Sequence, residues 1–268
     1  MRSKLPGYLM LVVLLAGTLL AGCDTGGLPV PAAPSATSTA PLEPGVALIL
    51  KMVPFDGEQA VTPDVQERAR RVMEARAREM GVTSVAVRSE EPDLLIVELR
   101  GKDSAEETRH ALSRNGFLEI IETGDTPLQD GTIVVTSEGG PTFQEGEPQS
   151  LNPYRAIVTS REILPDKVSY KTSETTGQPE VALALNDEGT RKFLDFTSAN
   201  IGKYAPVVLD KQVLSSPQIQ GAFPTVELVI TGLSDVQARQ VVAVLKAGVM
   251  PTKLELSETQ QLGTSTNP

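Results

Sequence analysis

Apolar residues recur along this chain with two periods, and their order predicts the elements of the fold. Continuous or alternating apolar runs are typical of strands, whereas spacing of three and four residues is typical of helices. The first half is predicted as strand, helix, strand, strand, helix and strand, which is the ferredoxin-like βαββαβ order. These strands are Val46–Val53, Ser84–Arg88, Leu94–Leu99 and Phe117–Glu122, and the helices follow the capping residues Thr62 and Ser104.

The second half repeats a mixture of strands and helices after a stretch rich in Gly, Pro, Asp and Glu. Only the run Gly131–Thr136 interrupts that stretch with a strand pattern, so residues 123–153 are predicted to be an irregular linker. The elements beyond it are strands at Tyr154–Thr159, Val181–Leu185, Thr225–Thr231 and Lys253–Leu256, a hairpin around Leu209–Lys211, and helices capped by Asn186 and Ser234.

The N-terminus has the sequence features of an export signal. Arg2 and Lys4 precede the apolar run Tyr8–Ala21, which is short for a membrane span and typical of a secretory signal peptide. The following Leu20-Ala-Gly-Cys23 resembles the bacterial lipobox, which implies lipidation of Cys23, the only cysteine of the chain. Residues 1–22 are therefore predicted to be a lipoprotein signal peptide. The Pro/Ala/Ser/Thr-rich residues 23–45 are predicted to be a disordered tether.

Charge and composition narrow the classes of function. The formal net charge is −10, and removing Arg2 and Lys4 with the signal peptide makes it more negative. An acidic chain argues against nucleic-acid binding. The chain has one histidine, His110, and no P-loop, dinucleotide fingerprint or EF-hand spacing. We therefore predict no enzyme, no catalytic or metal site, no cofactor and no small-molecule ligand.

The segment from Gly177 to Ile219 resembles the first periplasmic domain of SecD and SecDF, an accessory complex of the bacterial Sec translocase. The resemblance rests on Gly177-Gln-Pro179, Asp187-Glu-Gly189, and the hairpin that runs from Val208 to Pro217. It extends more diffusely over Val46–Glu258. It implies an α+β fold with two subdomains, a ferredoxin-like base at residues 46–122 and a smaller α+β head at residues 154–258, with residues 259–268 as a flexible tail.

The residues that match the family pattern are expected to be structural. Asp210 suits a hairpin turn because aspartate side chains often bond to their own turn backbone, and glycines suit helix ends. The matched residues are Gly189, Phe193, Leu209, Asp210, Val213, Pro217, Gly248 and Pro251.

The resemblance also implies a function. It predicts a module that is anchored by lipid on the extracytoplasmic face of the cell membrane. This module would bind unfolded or emerging polypeptide or assist the Sec translocase, without proton coupling of its own. An added β-strand is a physical route to such binding. The alternative is a structural or adaptor lipoprotein that binds a folded envelope partner, and a hydrolase is a third possibility without positive support.

Overall fold

A computed structural model of the protein describes residues 43–55, 60–90, 92–104, 106–138, 148, 152–222 and 227–264, without the side chain of Ser104. The predicted signal peptide, Cys23 and the tether up to residue 42 lie outside these ranges. The described strands are β1 Gly45–Val53, β2 Val85–Glu90, β3 Leu94–Arg100, β4 Leu118–Ile121, β5 Ala156–Thr159, β6 Ile163–Thr172, β7 Pro179–Leu185, β8 Val207–Leu209, β9 Gln212–Ser215, β10 Glu227–Ile230 and β11 Lys253–Leu262. The α-helices are α1 Pro63–Glu79, α2 Glu106–Ser113, α3 Asp187–Ala199 and α4 Asp235–Ala247.

The base is a four-stranded antiparallel sheet in the order β11-β1-β3-β2. This is the strand order of a ferredoxin-like sheet, in which the last strand lies beside the first. Helix α1 packs on one face of it, and its Ala69, Met73 and Ala77 join the apolar side chains of β1 and β3 in one core. The predicted α+β class is confirmed.

The fourth strand of the base is not the segment that we predicted. Lys253–Leu262 pairs with β1 along the whole strand, whereas Leu118–Ile121 belongs to a sheet of the head. Phe117–Glu122 follows α2 directly and is rich in apolar residues, which favoured its assignment to the base. All four residues of β4, including Glu119, are buried, and this suits a strand in the middle of a two-sided core. The predicted base boundary at residue 122 and the predicted flexible tail from residue 259 are therefore wrong.

The head is inserted between α2, whose Leu112 packs in the core of the base, and α4. It contains two antiparallel sheets, β5-β4-β8-β9 and β10-β7-β6. The predicted linker is part of it. Leu128 and Val134 are buried with Ile121, Val208 and Val213, so residues 123–138 pack on the head instead of separating it from the base. The predicted strand Gly131–Thr136 makes only isolated bridges at Ile133 and Thr136. The rest of the predicted linker lies almost wholly outside the described residues.

Local signals place α1, α3 and α4 correctly. The side chains of Thr62 and Asn186 accept hydrogen bonds from the first turns of α1 and α3, and Ser234 with Gln237 forms a reciprocal capping box on α4. The capping box predicted from Ser104 lies outside what the structure describes. Strand β6 was not predicted, because Pro165-Asp-Lys167 interrupts its pattern where the register shifts. Among the described helices, none is long and apolar enough to cross a membrane.

Candidate functional site

Asp210 and Lys211 form the two-residue turn that joins β8 to β9. Their φ angles are 51° and 66°, and a type I′ hairpin turn requires positive φ at both positions. Both residues are buried, although charged residues of turns are mostly exposed. The turn therefore brings two charges into the interior of the head, and each of them needs partners there.

The carboxylate of Asp210 fastens the loop between α2 and β4. Its Oδ2 accepts from the N–H groups of Asn115 (3.0 Å) and Gly116 (3.1 Å), and its Oδ1 accepts from the N–H of Phe117 (2.8 Å). Burial raises the pKa of Asp210, while these hydrogen bonds and nearby arginines act to lower it. The expected bond to its own turn is thus replaced by bonds to a segment more than ninety residues away in sequence.

Arg76 ties the base to the same loop. It is fully buried in the apolar stripe of α1, and its guanidinium donates to the carbonyl oxygens of Arg114, Asn115 (2.8 Å) and Gly248 (3.0 Å). Burial lowers the pKa of Arg76 to about 10, while the charge of Asp210 acts to raise it. One side chain of the base therefore holds both the entry into β4 and the end of α4.

Lys211 belongs to a second buried cluster. Its Nζ donates to Oε2 of Glu119 and to Oγ1 of Thr136, both at 2.6 Å, and the hydroxyl of Thr136 donates to Oε1 of Glu119 at 2.6 Å. Burial raises the pKa of Glu119, and Lys211 and Thr136 act to lower it. The cluster holds the segment after Val134 against the hairpin, because Thr136 lies in that segment.

An apolar cleft lies between the two sheets of the head. Its volume is about 280 Å³, and most of its lining residues are apolar. Glu227 is the charged residue among those lining it, and its carboxylate pairs with Lys171, which does not line the cleft. The lining residues are Leu118, Ile120, Leu183, Phe193, Ala205, Val207, Pro217, Gln218, Ile219 and the four residues of β10. The cleft therefore suits apolar groups and offers no partner for a buried charge.

The eight family-pattern residues divide between this cleft and the framework. Phe193 and Pro217 line the cleft. The close approach of α3 to Glu162 depends on Gly189, because a Cβ there would lie 2.6 Å from the Cβ of Glu162. The remaining six are Gly189 in the first turn of α3, Leu209, Asp210 and Val213 in the hairpin, Gly248 after α4, and Pro251 before β11.

The strand edges of the head differ in how they are closed. The edge of β9 is covered by main chain, since Gly131 N–H donates to Val213 O (2.8 Å) and Val213 N–H to Thr132 O (2.9 Å). The edge of β5 is capped by side chains: Ser137 Oγ accepts from Ala156 N–H (3.1 Å), and Oε2 of Glu162 accepts from Thr159 N–H (2.8 Å). Along Leu228–Ile230, the described residues provide no such cover on the side of β10 that faces the cleft.

The described residues show no cluster that suggests catalysis. They contain no group of three or more His, Cys, Asp or Glu residues placed to hold a metal ion. His110 lies on α2, where burial and then the charge of Arg114 lower its pKa.

Sequence reasoning missed the cleft and the buried charges. Arg76 did carry a signal, because it stands three residues after Met73 within the apolar stripe of α1. Glu119 carried the same kind of signal, because it lies between Leu118 and Ile120 in a predicted strand. Lys211 carried none, since its partners Glu119 and Thr136 are far from it in the chain.

Comparison with known proteins gives a family match that lies mainly in the head. Residues 133–252 match the family model described as SecDF, P1 head subdomain. The resemblance to the periplasmic domain of SecD and SecDF is confirmed. The protein translocase subunit SecD of Thermobaculum terrenum is 28% identical over 77% of this chain and 50% of its own length. SecD of Sebaldella termitidis is 29% identical over 84% of this chain and 48% of its own length.

Two solved structures share the fold. A SecDF structure in the super-membrane-facing form has a TM-score of 0.59 at 24% identity and covers 81% of this chain and 30% of that chain. A structure of SecDF described as a membrane component that enhances protein export has a TM-score of 0.57 at 24% identity and covers 79% of this chain and 98% of that chain. The chain spans about half the length of the two SecD relatives named above.

Proposed function

We propose that this protein is an extracytoplasmic module that binds extended polypeptide during protein export. The apolar cleft of the head is the binding site in this proposal. Support comes from the match of residues 133–252 to the SecDF head subdomain. The observation that carries the proposal is the cleft itself, an apolar cavity beside a strand whose outer edge has no cover among the described residues.

The chemistry of the cleft suits an unfolded chain better than a folded one. An unfolded chain exposes both apolar side chains and unpaired backbone groups, whereas a folded partner has paired its backbone already. Peptide binding at a sheet edge uses main-chain hydrogen bonds for affinity and pockets for alternate side chains. The half-buried Leu228 and the buried Ile230 of β10 face the head core, so a side chain of the bound segment would pack against them.

The proposal includes a lipid anchor at Cys23 on the outer face of the membrane, and components of the Sec translocase as partners. The anchor is supported by the lipobox-like Leu20-Ala-Gly-Cys23 behind an apolar run. Two or more acyl chains hold a protein stably on a bilayer. Metabolic labelling with a fatty acid should mark the wild type and not Cys23→Ser, and equal labelling of both would remove the anchor from the proposal.

Binding of an unfolded secretory protein to the fragment from Glu43 onward tests the central claim. This fragment contains all three apolar cores of the described structure. Fluorescence anisotropy should give an affinity around micromolar, because ordering a flexible chain offsets much of the gain. The affinity should vary little with salt, since apolar contacts and main-chain hydrogen bonds would carry it.

A matched pair of variants locates the binding site. Leu228→Asn places an amide in the wall of the cleft and should weaken binding about tenfold. Ile201→Asn makes the same kind of change at an exposed residue that does not line the cleft, and it should bind like the wild type. If the wild type fails to bind unfolded protein but captures one folded envelope protein, the adaptor function replaces this proposal.

A further inference from the structure

The cleft has a strand edge as one wall. All four residues of β10 line it, although successive side chains of a strand point to opposite faces. A cavity lined by consecutive residues therefore runs along the edge of the strand and not over one face. In an antiparallel pair with β7, alternate N–H and C=O groups of β10 point away from β7 and towards this edge.

The opposite wall also presents backbone groups. The segment Pro217–Ile219 is extended and pairs with residues 203–205, because Ala205 N–H donates to Pro217 O (3.0 Å) and Ile219 N–H to Lys203 O (2.8 Å). These two bonds direct the N–H and C=O of Gln218 away from that pairing. Within the described residues, Gln218 O receives only a long contact of 3.5 Å from the side-chain amide of Gln220.

From these two walls we propose that the bound segment enters the cleft as a strand paired on both sides. It would pair with the edge of β10 on one side and with Gln218 on the other, and so join the two sheets of the head. This inference rests on the proposed polypeptide-binding function and adds the mode of binding. It follows from complementarity, since an extended chain carries N–H and C=O groups on both of its edges.

The same walls define the class of segment that fits. The cleft is lined mostly by apolar side chains, and the carboxylate of Glu227 is already paired with Lys171. A charged side chain pointing inward would lose its hydration without gaining a partner. The preferred occupant is therefore a neutral, strand-forming segment with alternating apolar residues and no proline, because proline cannot donate to a ladder.

An N-methyl scan of a short capped peptide of alternating valine and threonine tests the two-sided pairing. N-methylation removes one backbone donor at a time and leaves the side chains unchanged. On the β10 side, methylation should weaken binding at alternate positions by about tenfold each. The intervening positions of the peptide face the opposite wall. Methylation of the one that faces Gln218 should weaken binding by a similar factor.

The outcomes separate this inference from the proposed function. Sensitivity at positions of one parity only would mean that the peptide adds to β10 alone, and sensitivity at none would mean that only the apolar pocket is used. Either result overturns the two-sided strand, as does a parent peptide that fails to bind while unfolded secretory protein binds. If neither ligand binds, the proposed function itself fails. Sedimentation of the free protein provides a control, because a peptide-resistant dimer would assign the cleft to a second copy of the chain.

Discussion

Three edge strands of the head, β5, β9 and β10, are treated in two different ways. The edges of β5 and β9 are closed, one by the side chains of Ser137 and Glu162 and the other by the main chain of residues 131–134. The edge of β10 faces the apolar cleft, and no described residue closes it. Because exposed strand edges invite pairing with other chains, proteins usually block them.

The difference teaches which part of the head is framework and which part is available for binding. The closed edges depend on polar groups that are costly to bury, such as Lys211, Glu119 and Glu162. The open edge depends on none of these three groups, and the side chain of Val229 on this edge is exposed. Substitutions at closed edges should therefore change stability, while substitutions at the open edge should change binding.

The largest effect on stability is expected at the buried cluster of Lys211, Glu119 and Thr136, which holds the segment that covers β9. Lys211→Met leaves the buried carboxylate of Glu119 without its ammonium partner, and removal of one member of a buried pair costs about 3–5 kcal/mol. Denaturant unfolding monitored by circular dichroism measures this loss. Methionine keeps most of the length of the side chain, so the change isolates the charge.

The double variant Lys211→Met with Glu119→Leu is the control for that prediction. It removes both charges and should recover most of the lost free energy of unfolding, since apolar replacement of a complete buried pair is often neutral. If the double variant is as unstable as the single one, the lost free energy of unfolding comes from the turn conformation at Lys211 and not from the unpaired carboxylate of Glu119.

How far the sequence predicts this molecule depends on the range of the interactions. The caps at Thr62, Asn186 and Ser234 are correct because a cap is decided within four residues. The fourth strand of the base is wrong because β11 pairs with β1 across about two hundred residues, and its polar sequence LELSETQQL shows no core-facing pattern. Local periodicity cannot distinguish that strand from a polar tail.

The candidate site shows the same limit. The hairpin turn at Asp210 was predictable, because aspartate favours turns. Its partners in the loop from Asn115 to Phe117 were not, since they come from a distant segment. The cleft arises only when Pro217–Ile219 and β10 are brought together by the fold. No single stretch of the sequence contains it.

A smaller effect is expected at the capped edge of β5. Burial acts to raise the pKa of Glu162, but hydrogen bonds from Lys192 and Thr159 outweigh it and hold the pKa below its usual 4.5. The ionised side chain therefore stabilises the fold above that pH, and this contribution is lost as the pH falls through the lower folded value. Glu162→Gln should cost about 1 kcal/mol at neutral pH.

The pH dependence of that cost is the measurement. The difference in free energy of unfolding between wild type and Glu162→Gln should be constant near neutral pH and should shrink below about pH 4.5. Glu188→Gln is the matched control, because Glu188 also pairs with Lys192 but is exposed and caps no strand edge. A difference that persists unchanged at acid pH would show that Glu162 acts through its shape and not its charge.

The smallest effect on stability is expected at the open edge. Val229→Lys changes a residue that is 47% exposed, so the free energy of unfolding should change by no more than about 0.5 kcal/mol. Lysine on a strand edge is a common device against pairing, so binding of unfolded polypeptide should weaken about tenfold. Leu256→Lys on β11 is the control, since Leu256 is 56% exposed on an edge strand of the base. If both variants bind unfolded polypeptide like the wild type, the edge of β10 does not take part in binding.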